Sequence, residues 1–290
     1  MFKGAFTAIV TPFKNNEIDF KAFEELIEFQ ISNGIHGIVP CGTTGESATL
    51  SFEEHKAVIK KCVEIVNKRV PVIAGSGSNN TMEAIELTQF AKDAGADGAL
   101  VITPYYNKPT QEGLYHHFKT VAEAVNIPIV VYNVPGRTGV NLQPDTLARL
   151  KDIPNITAVK EASGSVAQAE EIFIKTEGKI NILSGDDSLY FPLLAIGGSG
   201  VISVVSNIIP ADVSEVYNKF AAGNIKESRD IFYKYFFLTK SMFYETNPIP
   251  VKTSLNLMGK ISNEMRLPLY PMSDKNKERL LSDLKKYKIV

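Results

Sequence analysis

The sharpest chemical signal in this chain is a lysine that ends an apolar run: Lys160 closes Ile156-Thr157-Ala158-Val159 and precedes Glu161. Drawn out of water, a lysine amine is more readily neutral, and a neutral amine attacks a carbonyl carbon to form a Schiff base. The residue equally fits a strand-end lysine that extends to solvent or pairs with Glu161. Tyr132 ends another apolar run and is followed by Asn133-Val134-Pro135-Gly136-Arg137-Thr138-Gly139. It stands at a strand end where barrel chemistry belongs, and it equally fits a core ring with a satisfied hydroxyl. A third run leads into Cys41-Gly42-Thr43-Thr44-Gly45-Glu46-Ser47, where two adjacent hydroxyls stand between glycines. That stretch stands where the chemistry of a barrel belongs, and it equally fits an ordinary strand-to-helix turn.

Other constellations point away from chemistry. His116 and His117 are adjacent, so on a helix they diverge by about 100° and are badly placed to share one metal. With four histidines and no HxH or HExxH pattern, the expected metal count is none. Asp186-Asp187 reads as a loop and helix N-cap. Gly197-Gly198-Ser199-Gly200 resembles a phosphate cradle but precedes a strand, which in a barrel is the face away from the active site.

The elements that must position these residues alternate. Strand-like runs are expected at 5–10, 37–39, 71–74, 98–102, 128–132, 156–160, 180–183 and 200–203, with helical periodicity at 20–30, 52–66, 82–92, 112–124 and 166–175. Ser51 with Glu54, and Asn80-Thr81 before Glu83, are N-terminal capping signals. Asn33-Gly34 and Ala94-Gly95 mark helix exits. The runs are apolar throughout, as strands buried on both faces must be. Eight such units over about 220 residues predict an α/β fold, the (β/α)8 TIM barrel, at 1–223. A doubly wound open sheet is the runner-up, but Thr11-Pro12-Phe13 replaces the glycine fingerprint expected after its first strand. Helical segments at 228–244, 249–257 and 273–287 make 224–290 an appended C-terminal helical region.

Charge and composition narrow the partners. The 31 basic and 32 acidic residues leave a net charge of −1, with no basic stripe for nucleic acid. No apolar run approaches the ~18 residues of a membrane span, and the opening apolar stretch, which ends at Thr11-Pro12, reads as a strand rather than a signal sequence. Two cysteines without a CxxC pattern suggest a reducing, cytoplasmic setting.

At this point the chain resembles the dihydrodipicolinate synthase family, within the pyruvate-dependent class I aldolases that include N-acetylneuraminate lyase. The resemblance runs end to end. It rests on GTTGESATL from Gly42, TPYYNKP from Thr103, YNVPGRTG from Tyr132, the strand ending Lys160-Glu161-Ala162, LSGDD from Leu183, and Thr246-Asn247-Pro248-Ile249-Pro250-Val251-Lys252. It implies that Lys160 forms an imine with pyruvate, which then condenses with L-aspartate 4-semialdehyde to give 4-hydroxy-tetrahydrodipicolinate, the first committed step of diaminopimelate and lysine biosynthesis. No cofactor beyond the imine is implied.

Carried over residue by residue, the resemblance makes Tyr132, Thr43 and Tyr106 a proton relay, with Tyr106 reaching in from a neighbouring subunit of a homotetramer (a dimer of dimers). Thr44 and Ile202 contact pyruvate, and Arg137 binds the semialdehyde carboxylate. An L-lysine site is implied near Ser47, Ala48, Phe52, His55, Asn79, Glu83 and Tyr105. Phe52 departs from the histidine of some lysine-sensitive relatives, so weak or absent inhibition is expected. A sister aldolase acting on sugar acids would change the aldehyde-binding loop, and Arg137 and Tyr106 argue against it. Retention of Lys160, Tyr132, Thr43 and Tyr106 argues against a non-catalytic lysine-binding regulator.

Overall fold

The computed structural model describes residues 2–290. Eight parallel strands form a nearly closed barrel with surrounding helices: β1 (Gly4–Ala8), β2 (Gly37–Val39), β3 (Ile73–Gly75), β4 (Gly98–Ile102), β5 (Ile129–Asn133), β6 (Ile156–Glu161), β7 (Asn181–Ser184) and β8 (Gly200–Ser203). This is the expected (β/α)8 class. Boundaries move by up to two residues, for local reasons. β1 stops at Ala8 because the Val10 N–H donates to Asn207 Oδ1 at 3.2 Å. β3 starts at Ile73 because Pro71 has no N–H and the Val72 N–H donates to Asp97 Oδ2 at 2.8 Å. A short hairpin, Phe13–Lys14 with Glu17–Ile18, follows β1 and was not expected.

The helices are α1 (Phe20–Ser32), α2 (Phe52–Val66), α3 (Thr81–Asp93), α4 (Gln111–Ala124), α5 (Pro135–Thr138), α6 (Pro144–Leu150), α7 (Val166–Lys175), α8 (Tyr190–Ala195) and α9 (Pro210–Ala221), then α10 (Ile225–Ser241), α11 (Ile249–Leu257) and α12 (Asp274–Lys286). The Ser51–Glu54 capping box opens α2, and Asn80 caps α3. Such caps stabilise a helix by about 1 kcal/mol. Gly34 and Gly95 take φ of +78° and +92° at the exits of α1 and α3, where a side chain would be strained.

Two compact units divide the chain. One spans Pro71–Ile202 with the residues up to Gly4. Its core joins Ile129, Val131, Ile156, Val159 and Ile182 of the strands to Leu114, Phe118 and Ile172 of the helices. Each such side chain, fully buried, contributes about 1.5–3 kcal/mol. The other unit spans Ala5–Val70 and Ser203–Val290, so the C-terminal helices share it with β2, α1 and α2. Two of its buried amides are paired across the unit: Gln30 Nε2 donates to the Ser206 carbonyl at 3.0 Å and Asn207 Nδ2 to the Ala8 carbonyl at 2.8 Å.

Within the first unit, β5 and β6 do not pair in simple step. Ile129 pairs with Ile156 but Val130 with Ala158, so Thr157 is an extra residue in β6. A one-residue shift moves every later side chain to the other face of the sheet. The bulge therefore sets which way Lys160 points.

Candidate active site

Past the bulge, Tyr132 pairs with Lys160, and Lys160 with Leu183. Paired residues of a parallel sheet face the same way, and here Lys160 Nζ lies 4.2 Å from the centroid of the Tyr132 ring. Tyr132 is 5% exposed and Lys160 6%. The lysine does not extend to solvent; its amine lies against the face of the Tyr132 ring.

Nor does Lys160 pair with Glu161. Glu161 follows on the opposite face, where its carboxylate accepts from the Ser163 N–H at 2.7 Å, Asn133 Nδ2 at 3.1 Å and Gln168 Nε2 at 3.3 Å. Asn133 also donates to Asn141 Oδ1 at 2.8 Å and accepts from the Leu142 N–H at 2.9 Å. This amide cage locks the residues that directly follow Tyr132 and Lys160, behind the face they share.

Gly185 was not singled out from sequence, although LSGDD contains it. A Cβ there would stand 2.7 Å from Ala162 Cβ and 3.1 Å from both Cγ and Cε of Lys160. The glycine leaves room for the lysine stem. Arg137 is exposed on the single turn α5. Thr138 Oγ1 ties that turn to the Val140 carbonyl at 2.9 Å, and Gly139 ends it at φ +73°. Ile202 is buried in β8.

Tyr106 is 90% exposed and holds φ of +70°. For a residue with a side chain that conformation costs about 1–2 kcal/mol, and the neighbouring backbone holds it. Asn79 Nδ2 donates to the Tyr105 carbonyl at 3.2 Å, and Asn107 Nδ2 to the Asn79 carbonyl at 2.8 Å. Asn79 and Tyr105 are thus brought together. Glu83 lies close by in sequence, where its carboxylate already accepts from Ser78 Oγ at 2.7 Å and Asn80 Nδ2 at 3.4 Å.

In the second unit, Thr43 is half-buried and Thr44 buried in the turn after β2. The Gly45 N–H donates to the Gly42 carbonyl and the Glu46 N–H to that of Thr43, each at 3.1 Å. Asn247 Nδ2 donates to Thr44 Oγ1 at 3.0 Å. Glu46 pairs with Lys252, both side chains wholly buried, and also accepts from the Arg266 N–H at 3.1 Å. Burial pushes the Lys252 ammonium below its ordinary pKa, against the pull of Glu46. Neither Glu46, Asn247 nor Lys252 was assigned a role from sequence, although each stands in a stretch that carries the family resemblance. Ser47 and Ala48 lie in the 3-10 turn that follows, and Phe52 and His55 on the first turns of α2.

The discounted constellations have structural roles. His116 pairs with Glu112 at 3.2 Å, and buried His117 meets Thr81 Oγ1 at 2.9 Å. Asp186 caps a 3-10 turn by accepting from the Ser188 N–H at 2.8 Å. Among the described residues, no three His, Cys, Asp or Glu side chains group as a metal site. No helix among them is long and apolar enough to cross a membrane.

Comparison with known proteins agrees with this geometry. The 4-hydroxy-tetrahydrodipicolinate synthase of Syntrophobacter fumaroxidans is 60% identical over the full length of both chains. The dihydrodipicolinate synthase structure from Aquifex aeolicus superposes with a TM-score of 0.98 at 48% identity, covering 99% of each chain. A structure described as a monomeric dihydrodipicolinate synthase variant matches with a TM-score of 0.97 at 46% identity, covering 100% of this chain and 98% of its own. The family model for the Dihydrodipicolinate synthetase family matches residues 1–287. With the strand-end lysine and tyrosine on one buried face, and relatives matched along their whole length, the chain belongs to the dihydrodipicolinate synthetase family.

Proposed function

We propose that this chain is a lyase that condenses pyruvate with L-aspartate 4-semialdehyde, the first committed step of diaminopimelate and lysine biosynthesis. The observation that carries the reading is the buried amine of Lys160 set over the ring of Tyr132. Lys160 Nζ adds to the pyruvate ketone and water leaves, giving a protonated imine. The imine withdraws electrons, so the pyruvate methyl group loses a proton and becomes an enamine. Its carbon attacks the semialdehyde carbonyl, whose oxygen takes up a proton. The substrate amine then displaces Lys160, closing the ring of 4-hydroxy-tetrahydrodipicolinate and freeing the lysine. The imine is the electron sink, so the reading invokes no metal or organic cofactor.

Each proton needs a positioned carrier, and the family resemblance assigns Tyr132, Thr43 and Tyr106 to that task. Thr44 and Ile202 hold pyruvate, and Arg137 takes the semialdehyde carboxylate. The exposed, strained Tyr106 supports a ring offered to a second copy of the chain, within a cytoplasmic homotetramer. The test is borohydride trapping with pyruvate, read by mass, followed by turnover of the semialdehyde. A reduced pyruvyl adduct on Lys160, lost in Lys160→Ala, is expected. Undiminished turnover by folded Lys160→Ala would end the imine assignment.

A further inference from the structure

We infer that Lys252 and Glu46 are positioning residues for the carboxylate-binding turn, acting through a buried ion pair that anchors α11 beside Thr44. The inference rests on the reading that Thr44 holds the carboxylate of pyruvate. The turn is conformationally demanding: Cys41 and Glu46 both take left-handed φ, at +55° and +54°. Residues with side chains stay in that region only where their surroundings over-determine it.

Two of the ties that hold the turn come from one C-terminal segment. Asn247 holds the Thr44 hydroxyl at 3.0 Å and Lys252 holds the Glu46 carboxylate, so two points two residues apart on the turn are tied to one stretch of chain. The pair is sealed from water, with both side chains at 0% exposure, and Lys252 Nζ also lies 4.4 Å from the centroid of the Phe13 ring. The Thr11 hydroxyl adds a third tie, donating to the Gly45 carbonyl at 2.7 Å.

A buried ion pair is no more stabilising than apolar residues of the same volume. What it adds is direction, because a carboxylate held by Lys252 on one oxygen and by the Arg266 N–H on the other has one orientation. The hydroxyl and N–H groups of the turn are then aimed before pyruvate arrives. A misplacement of about 1 Å at such a site costs on the order of 10²-fold.

The decisive comparison is Lys252→Met against the double variant Glu46→Gln/Lys252→Met. The single variant strands a buried charge, so it melts early or fails to fold. The double variant leaves none, and it melts close to the unmodified enzyme. Its half-saturation for pyruvate, in borohydride trapping and in turnover, rises roughly tenfold or more. Its KM for the semialdehyde and its kcat at saturating pyruvate change by no more than about threefold. A double variant that recovers both its melting temperature and the original pyruvate half-saturation would show the pair to be structural only, and overturn the inference. Absence of any pyruvate adduct in the unmodified enzyme would instead overturn the proposed function, and this inference with it.

Discussion

Gly185→Ala adds one carbon next to the reactive lysine, in a gap too small to hold it. Gly185 lies outside the left-handed region, so alanine is not strained by its own backbone and the perturbation is steric. The new Cβ meets Ala162 Cβ at 2.7 Å, about 1 Å inside ordinary carbon contact. A Cβ cannot rotate away, so the backbone must shift. Overpacking of this kind costs about 1–3 kcal/mol, or roughly 2–12 °C of melting temperature for a chain this long. The same Cβ stands 3.1 Å from Cγ and Cε of Lys160, so the stem that carries the amine moves with it. A 3.1 Å approach makes the stem give by a few tenths of an ångström, so trapping slows by less than the ~10²-fold cost of a 1 Å misplacement, roughly three- to tenfold. The assay is the rate of pyruvate-dependent borohydride trapping, run beside thermal melting. Gly136→Ala is the control, because a Cβ there meets nothing within 4 Å. If Gly185→Ala traps pyruvate within twofold of the unmodified rate, the packing argument is wrong.

Arg137→Ala should weaken semialdehyde use by about 1.5–3 kcal/mol while sparing imine formation; equal losses in trapping and turnover would make the arginine structural. Activity should require at least a dimer if Tyr106 completes the relay, so sedimentation with activity followed through dilution checks it, and a fully active monomer refutes it. L-lysine should inhibit roughly ten- to hundredfold more weakly than in sensitive relatives, since Phe52 supplies no hydrogen bond; submillimolar half-inhibition would overturn this. Burial pushes His117 down to about 4, below its unfolded value of about 6.5. The unfolded chain therefore binds the extra proton between those values, and the stability from neutral His117 is complete above about pH 6.5. It is lost as pH falls toward 4, by up to roughly 3 kcal/mol. Urea unfolding at pH 7 and pH 5 should show a shallower pH dependence in His117→Gln, and an unchanged slope would refute the assignment.

The barrel was legible because burial patterns are local. A strand covered on both faces must be apolar along its length, and a helix must carry a stripe, so eight alternating units can be counted from the residues alone. The Ser51–Glu54 box is equally local, spanning four residues, and it formed as read. Lys160 and Tyr132 stood out because polar tips ending apolar runs are conspicuous.

The orientation of Lys160 was not legible. Two residues lie between Ile129 and Tyr132 and three between Ile156 and Lys160, yet the two stretches start and end in register, because Thr157 bulges. Alternation counted along either strand alone does not disclose an extra residue that exists only relative to its neighbour. The Glu46–Lys252 pair, 206 residues apart, was hidden for a related reason. A charge in a sequence reads as solvated, and only the packing of α11 takes both groups out of water, where each must find the other. Gly185 matters through a gap of one methyl group against Lys160, and that gap exists only once β6 and β7 lie side by side. Periodicity along the chain thus determined the elements and the candidate nucleophile, while register and long-range packing decided where that nucleophile points and what holds its surroundings, because those contacts have no local period to read.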